Sequence, residues 1–293
     1  MKQIYLLCHL GLGDMILCNG MVRHFALTAD KIFLPCKNQN IDSVKFMFRD
    51  EPKVEIMPVA NDDHAKAIAD VMRPPVYDVI RIGMFSKDVF DARKWDQEFY
   101  RHAGVPFEKR WSAFKLMRDK ASEIQPPGIN FVLAHEDPYR SCLLNPQLLP
   151  PDVRVIRTEK KGNIFQWCKC IEAASQLHFM ESSMAVLADT LEIPDQRRVI
   201  HSYVRKSVPP TFRSTWEQAE DAAKNPWQPP PAKELTKGVQ PKPPAVPRNS
   251  KWDAEMIEKS PIMMPTAEQV AAQVEAAAPR VQKKKVDESV NSL

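Results

Sequence analysis

Three short segments gather residue types that can do chemistry. In His9-Leu-Gly-Leu-Gly-Asp14, two glycines and a carboxylate follow an apolar run. Gly11 and Gly13 let backbone approach a ligand closely, and a helix opening there offers unbonded amides to an anion. Asp14 carries two readings: a carboxylate offsetting the helix dipole, or a general base facing a cleft. His9 stands at the head of this turn. In Ala134-His-Glu-Asp-Pro-Tyr-Arg140, three titratable groups crowd a strand end and Arg140 follows. An arginine there can grip phosphate with two parallel hydrogen bonds; the same residues also suit a solvated polar loop. In Phe179-Met-Glu-Ser-Ser-Met184, Glu181, Ser182 and Ser183 end a short strand and open a helix. Two hydroxyls beside free amides suit a diphosphate, and they equally suit ordinary serine N-capping.

The elements that must position these groups alternate in type. Apolar runs rich in strand formers occupy 2–10, 31–35, 54–59 and 77–82, with helical spacing over 15–28, 41–48 and 62–72 between them. Helices are expected at 95–104 and 111–124. Pro126-Pro127-Gly128 marks an internal boundary. The alternation then resumes: strands at 129–134, 153–157, 177–180 and 198–203, helices at 164–175 and 182–191. Strand–helix alternation predicts parallel, doubly wound α/β layers with right-handed crossovers. Candidate ligand residues therefore sit at carboxyl ends of strands, where open α/β sheets bind ligands. His178, inside an apolar run, is expected to be buried and hydrogen-bonded. His24, His64 and His102 are expected on helices as surface or core residues rather than ligands, and the scattered methionines as core residues.

Composition sets the outer limits. The chain has 293 residues, and half of its 26 prolines fall in 207–293. All 6 cysteines and all 7 histidines lie before residue 206. The reading is a folded part followed by a proline-rich, largely disordered tail: 1–125 a first Rossmann-like unit, 126–206 a second, smaller one, 207–293 the tail. Short helices are plausible in the tail at 251–259 and 266–278, with Lys283-Lys284-Lys285 as a basic cluster beyond them. No apolar run reaches the ~18–20 residues of a membrane-spanning helix. The start resembles a signal peptide, but Asp14 and Arg23-His24 interrupt it, so a buried first strand is expected. No CxxC pair occurs, and Cys168 and Cys170 are poorly spaced for a metal. Reduced thiols and a cytoplasmic location follow. A net charge of +4 does not argue for nucleic acid. The dinucleotide fingerprint lacks its third glycine, whose place Ile16 takes, and no P-loop lysine follows; this disfavours a Rossmann oxidoreductase.

Taken together, His9 to Asp14 with Ile16-Leu17-Cys18-Asn19-Gly20 and Arg23, then His135-Glu136-Asp137, then 171–183 leading to Leu187-Ala188-Asp189, and His201-Ser-Tyr-Val-Arg205, resemble the GT-B glycosyltransferases. The likeness is to the heptosyltransferase-like and fucosyltransferase-like branch, over about residues 1–205. The resemblance implies two small Rossmann-like domains facing each other across a cleft. It implies an acceptor, a glycan or other hydroxyl compound, near His9, Gly11 and Gly13, and a nucleotide-sugar donor bound mainly by the second domain. Asp14 would be the catalytic base. Glu181, Ser182 and Ser183 would hold the donor, and Arg140 and Arg157 would neutralise its phosphates. The nucleotide sugar is a co-substrate; no cofactor and no metal are implied. A competing expectation is a non-catalytic GT-B-like module whose tail docks protein partners.

Overall fold

A computed structural model describes residues 2–72, 74–159, 162–193, 196–205 and 207–219. All of them fall in the unit Met1–Val239. Lys160-Lys161 and the tail features expected at 251–259, 266–278 and 283–285 lie outside the described residues.

The first sheet contains β1 (Gln3–Leu7), β2 (Lys31–Lys37), β3 (Val54–Val59) and β4 (Tyr77–Arg81), all parallel in the order β3-β2-β1-β4. Helices α1 (Leu12–Leu17), α2 (Asn19–Ala26), α3 (Ile41–Phe48) and α4 (Asp62–Val71) connect these strands. β1 is almost wholly apolar because helices cover both faces of a parallel sheet. Side-chain alternation along the strand then splits the core. Ile4 and Leu6 join Met15, Leu17 and Val22 on one face, while Tyr5 and Leu7 pack with Ala65 and Ile68 of α4 on the other.

Next come α5 (Trp95–His102) and α6 (Lys109–Ser112), and then the second sheet. It is formed by β5 (Phe131–His135), β6 (Arg154–Arg157), β7 (Gln176–Phe179), β8 (Arg197–Ile200) and β9 (Glu217–Gln218), parallel in the order β6-β5-β7-β8-β9. Its helices are α7 (Cys168–Ala173) and α8 (Ser183–Thr190). The doubly wound α/β architecture read from the sequence is present in both sheets. Their cores are continuous: Phe131, Leu133, Leu177 and Leu187 belong to the same buried cluster as Ile4 and Met15. A shared apolar core holds two units far more firmly than a polar interdomain contact would.

Two local expectations are corrected. The helix expected at 111–124 is not formed beyond α6. External partners satisfy that backbone instead, which removes the need for helical bonds. Asn19 bonds both the amide and the carbonyl of Lys115, at 3.0 and 3.2 Å, and Arg49 donates to the Met117 carbonyl. The Ile124 amide donates to the Gln166 carbonyl. Arg118 adds ion pairs to Glu123 and to Glu172 of α7. Second, the packed chain continues past residue 206. Trp95 Nε1 donates to the Val208 carbonyl, Thr211 bonds Asp96 of α5, and Arg213 and Ser214 donate to Asp189 of α8. A fully buried guanidinium, Arg110, lies between these carboxylates, 2.8 Å from Asp96 and 3.8 Å from Asp189. Among the described residues no helix is long and apolar enough to cross a membrane.

Candidate active site

The topology of each sheet fixes where ligands can enter. In the first sheet the strand order reverses beside β1, between β1 and β4; in the second it reverses between β5 and β7. Crevices open at the carboxyl ends of such strands. The sequence places His9 to Asp14 after β1, His135 to Arg140 after β5, and Glu181 to Ser183 after β7.

The segments after β1 and β7 meet. A methyl group on Gly13 would lie 3.4 Å from the Ser183 amide nitrogen and 3.4 Å from its Cα. Glycine at 13 thus lets the first turn of α1 press against the start of α8. Both helices present free N-terminal amides at this junction.

Asp14 is the third residue of α1, whose N-cap is Gly11, and Gly11 has no side chain with which to cap. The carboxylate turns back onto the Gly11 amide, as the acidic half of a capping box does. The side chain is partly exposed, yet crowded by protein. Burial pushes its pKa up to about 6; the charge of Arg205 and the Gly11 amide pull it down, Asp62 pushes it up, and Lys37 pulls it down. Lys37 and Asp62 pair with each other at the ends of β2 and the start of α4. Asp14 therefore finishes the helix start, as the helix-dipole reading expects.

Ser182 is the N-cap residue of α8, but its hydroxyl makes no capping bond. Its Oγ is buried and hydrogen-bonds to nothing among the described residues. Both carboxylate oxygens of Glu181, a residue only 4% exposed, meet no side-chain donor among the described residues; only backbone amides approach them. Burial raises the Glu181 pKa, opposed by its own amide, by the charge and amide of Arg205 and by the Ser207 amide. Buried polar atoms are paired in the great majority of cases. The Ser182 hydroxyl and the Glu181 carboxylate thus stand together at one helix start without side-chain partners among the described residues.

The arginines expected to hold phosphates lie elsewhere on the second sheet's rim. Arg157 Nε is 2.8 Å from Glu136, and Arg140 Nε is 2.6 Å from Asp137. No hydrogen bond or ion pair among the described residues joins either to Asp14, Ser182 or Ser183. His135, beside them, bonds Thr158 at 2.5 Å, and burial lowers its pKa to about 4.

His9 also has a definite place. Its Nε2 accepts from the Met84 amide at 3.0 Å, so the ring proton is on Nδ1. Phe85, Phe90 and Phe99 surround the ring, and burial lowers its pKa to about 4. Gly83, at φ +60°, permits this contact, because a Cβ there would come within 2.3 Å of Nε2. His9 thus fastens the loop after β4 to the loop after β1.

Arg205 is the site residue that the motif reading passed over. It lies in His201-Ser-Tyr-Val-Arg205, read as a closing strand, yet β8 ends at Ile200 and Arg205 stands in the loop beyond. Its Nη1 donates to the Glu181 carbonyl at 2.8 Å. A cation placed just after a parallel strand was the available signal. Among the described residues no group of three or more His, Cys, Asp or Glu side chains could hold a metal ion.

The chain matches no protein-family model and no curated protein. It is similar in fold to solved structures of glycosyltransferases. One is the iron-containing dodecameric glycosyltransferase TibC of enterotoxigenic E. coli, at 13% identity and a TM-score of 0.44; the match covers 66% of this chain and 56% of that one. Another is a family 9 glycosyltransferase from Veillonella parvula, at 9% identity and a TM-score of 0.46, covering 80% of this chain and 95% of that one. The TibC heptosyltransferase in complex with ADP-D-beta-D-heptose is similar at 13% identity and a TM-score of 0.41, with 66% and 56% covered. This chain thus spans little more than half the length of TibC.

Proposed function

We propose that the chain is a glycosyltransferase that moves a sugar from a nucleotide-sugar donor to an acceptor hydroxyl. The observation that carries the reading is the meeting of α1, which bears the near-neutral carboxylate of Asp14, with a helix start whose Ser182 hydroxyl and Glu181 carboxylate are buried without side-chain partners among the described residues. Asp14 is a base of suitable strength; the helix start offers amides and a hydroxyl to phosphate and a carboxylate to hydroxyl groups.

In this reading the acceptor lies over the first sheet's carboxyl edge, bounded by His9, Gly11 and Gly13. Asp14 takes the proton from the acceptor hydroxyl as that oxygen forms its bond to the anomeric carbon. The bond from that carbon to the diphosphate oxygen breaks, and the nucleoside diphosphate leaves with the electron pair. A base with a pKa near the working pH is the efficient choice for such a proton transfer. The α8 amides, with Ser182 and Ser183, hold the diphosphate. Arg140 and Arg157 contribute if phosphate replaces their present carboxylate partners. The protein's own cations neutralise the leaving group, and no metal is assigned.

Calorimetric titration of the intact protein with a panel of nucleotide sugars and nucleoside diphosphates tests this. Binding is expected, weakened about tenfold or more in Ser182→Ala/Ser183→Ala. If no nucleotide binds, the transferase reading fails and the non-catalytic module takes its place.

A further inference from the structure

The loop after β8 is stitched to the far end of β7 and to the segment between β5 and β6. The His201 amide donates to the Phe179 carbonyl at 2.8 Å. Val204 packs with Leu144 and Met180. Arg205, an exposed residue, still sets its Nη1 2.8 Å from the Glu181 carbonyl. A continuous chain of polar groups runs beneath these contacts. His178 Nε2 is 3.2 Å from Gln176 Oε1, and His178 Nδ1 is 3.1 Å from His201 Nε2. His201 Nδ1 is 3.0 Å from the Tyr203 hydroxyl, which accepts from the Asn145 amide at 2.8 Å.

Groups that can only donate fix both ends of this chain. Arg197 Nη1 donates to Gln176 Oε1 at 3.3 Å, so His178 Nε2 faces an oxygen and must carry a proton. In a neutral ring His178 Nδ1 is then an acceptor, and His201 Nε2 supplies the proton between them. His201 Nδ1 is left to accept, and the Tyr203 hydroxyl, already accepting from Asn145, donates to it. The opposite tautomer of His201 would set two lone pairs against each other at 3.1 Å. His178 and His201 are 1% and 0% exposed, so their ring nitrogens depend on these partners rather than on water. Burial lowers the pKa of the two rings to about 4 and about 3, so both are neutral near neutrality.

We infer that this one-way relay is a positioning device: Tyr203, His201 and His178 hold the loop after β8 in the placement that sets Arg205 on the start of α8, and so shape the site at Glu181, Ser182 and Ser183 without touching its ligand. What that site binds rests on the proposed function; the relay and its hold on the loop do not. The Tyr203 hydroxyl is the joint, because it satisfies a backbone amide between β5 and β6 and a ring beyond β8 at once. Tyr203→Phe keeps the ring that packs edge-on against His201 at 5.5 Å, but leaves the Asn145 amide and His201 Nδ1 without their partner.

Nitrogen-15 NMR of the full chain reads the tautomers. Both rings are expected to carry their proton on Nε2 with Nδ1 bare, and Tyr203→Phe is expected to shift His201 Nδ1 while leaving His178 Nε2 in place. Hydrogen exchange at the Val204 and Arg205 amides should quicken about fivefold or more in Tyr203→Phe, the worth of one net hydrogen bond. ADP or UDP should bind that variant about threefold or more weakly than the unmodified chain, a part of the same hydrogen bond's worth. A proton on Nδ1 of either ring in the unmodified chain overturns the inference, as does exchange in Tyr203→Phe that stays within about twofold of the unmodified value. A variant that loses stability but binds the nucleotide undiminished reduces the relay to a structural role and overturns the positioning. If Tyr203→Phe does not fold, Gln176→Leu cuts the other end of the chain and should quicken exchange at the same amides; unchanged exchange there overturns the inference. If exchange quickens but neither ADP nor UDP binds any form, the proposed function fails and the relay's hold on the loop stands.

Discussion

Arg110→Met tests how the C-terminal segment is held across both sheets. Arg110 is wholly buried, and its carboxylate neighbours Asp96 and Asp189 are each 2% exposed. Nη1 donates to Asp96 at 2.8 Å and to the Thr211 carbonyl at 2.5 Å, whereas Nη2 is 3.8 Å from Asp189 and, like Nε, makes no hydrogen bond among the described residues. Removing one member of a buried ion pair costs about 3–5 kcal/mol, because the partner is left as an uncompensated buried charge. Here both carboxylates keep other donors. Asp96 retains the Thr211 and Gln97 amides, and Asp189 retains Trp111 Nε1 and the Arg213 and Ser214 amides. Each such bond to a charged group offsets about 1.5–3 kcal/mol. The loss should therefore sit near the lower end, about 3 kcal/mol. Arg110→Lys keeps a cation beside both carboxylates, whose oxygens all have N–H donors to satisfy them, and should lose less than half as much. Urea unfolding followed by circular dichroism measures the stabilities, and hydrogen exchange at Thr211, Arg213 and Ser214 should accelerate in Arg110→Met. A loss below about 1 kcal/mol, or an Arg110→Lys variant no more stable than Arg110→Met, would refute the reasoning.

Gly20→Ala places a Cβ 1.9 Å from the Lys109 carbonyl, which is backbone and cannot swing aside, so a loss of about 2–3 kcal/mol or more is expected in the same unfolding assay. Acidification should destabilise the fold through His178 and His201, which burial holds neutral, at about 4 and about 3. The unfolded chain binds protons near pH 6.5, so stability is lost as pH falls from there toward 4, by roughly 3 kcal/mol for each fully buried ring. Asp14, with its folded pKa raised, acts in the opposite sense and restores a smaller amount between pH 6 and 4. A stability profile flat from pH 7 to pH 4.5 would contradict this. Glu181→Gln should weaken nucleotide-sugar binding about tenfold in the calorimetric titration, because its carboxylate has no side-chain partner of its own; undiminished binding would count against that placement.

Much of this molecule was legible from periodicity. The eight principal strands fall where apolar runs alternate with helical spacing, because a parallel sheet covered on both faces buries nearly every strand residue. His178 is buried and hydrogen-bonded as expected: its Nδ1 meets His201 at 3.1 Å and its Nε2 meets Gln176 at 3.2 Å. The glycine turn and the double serine were visible as types at strand ends. Their meeting was not, since it depends on Gly13 abutting the Ser183 backbone across two sheets. The 113–124 stretch and the segment from 207 were misjudged for one reason. Side chains distant in sequence, such as Asn19, Arg110 and Asp96, satisfy their backbone, and local pattern holds no record of such partners. Arg205 was hidden similarly, by lying just past the end of a strand taken to be longer.

The most direct measurement is transfer by Asp14→Asn against the unmodified protein, with donor affinity measured on the same samples. The proposed function predicts that the asparagine variant binds the nucleotide sugar within about threefold of the unmodified chain and loses about 10²–10⁴-fold in transfer rate, the worth of a general base. Transfer undiminished in Asp14→Asn would contradict it.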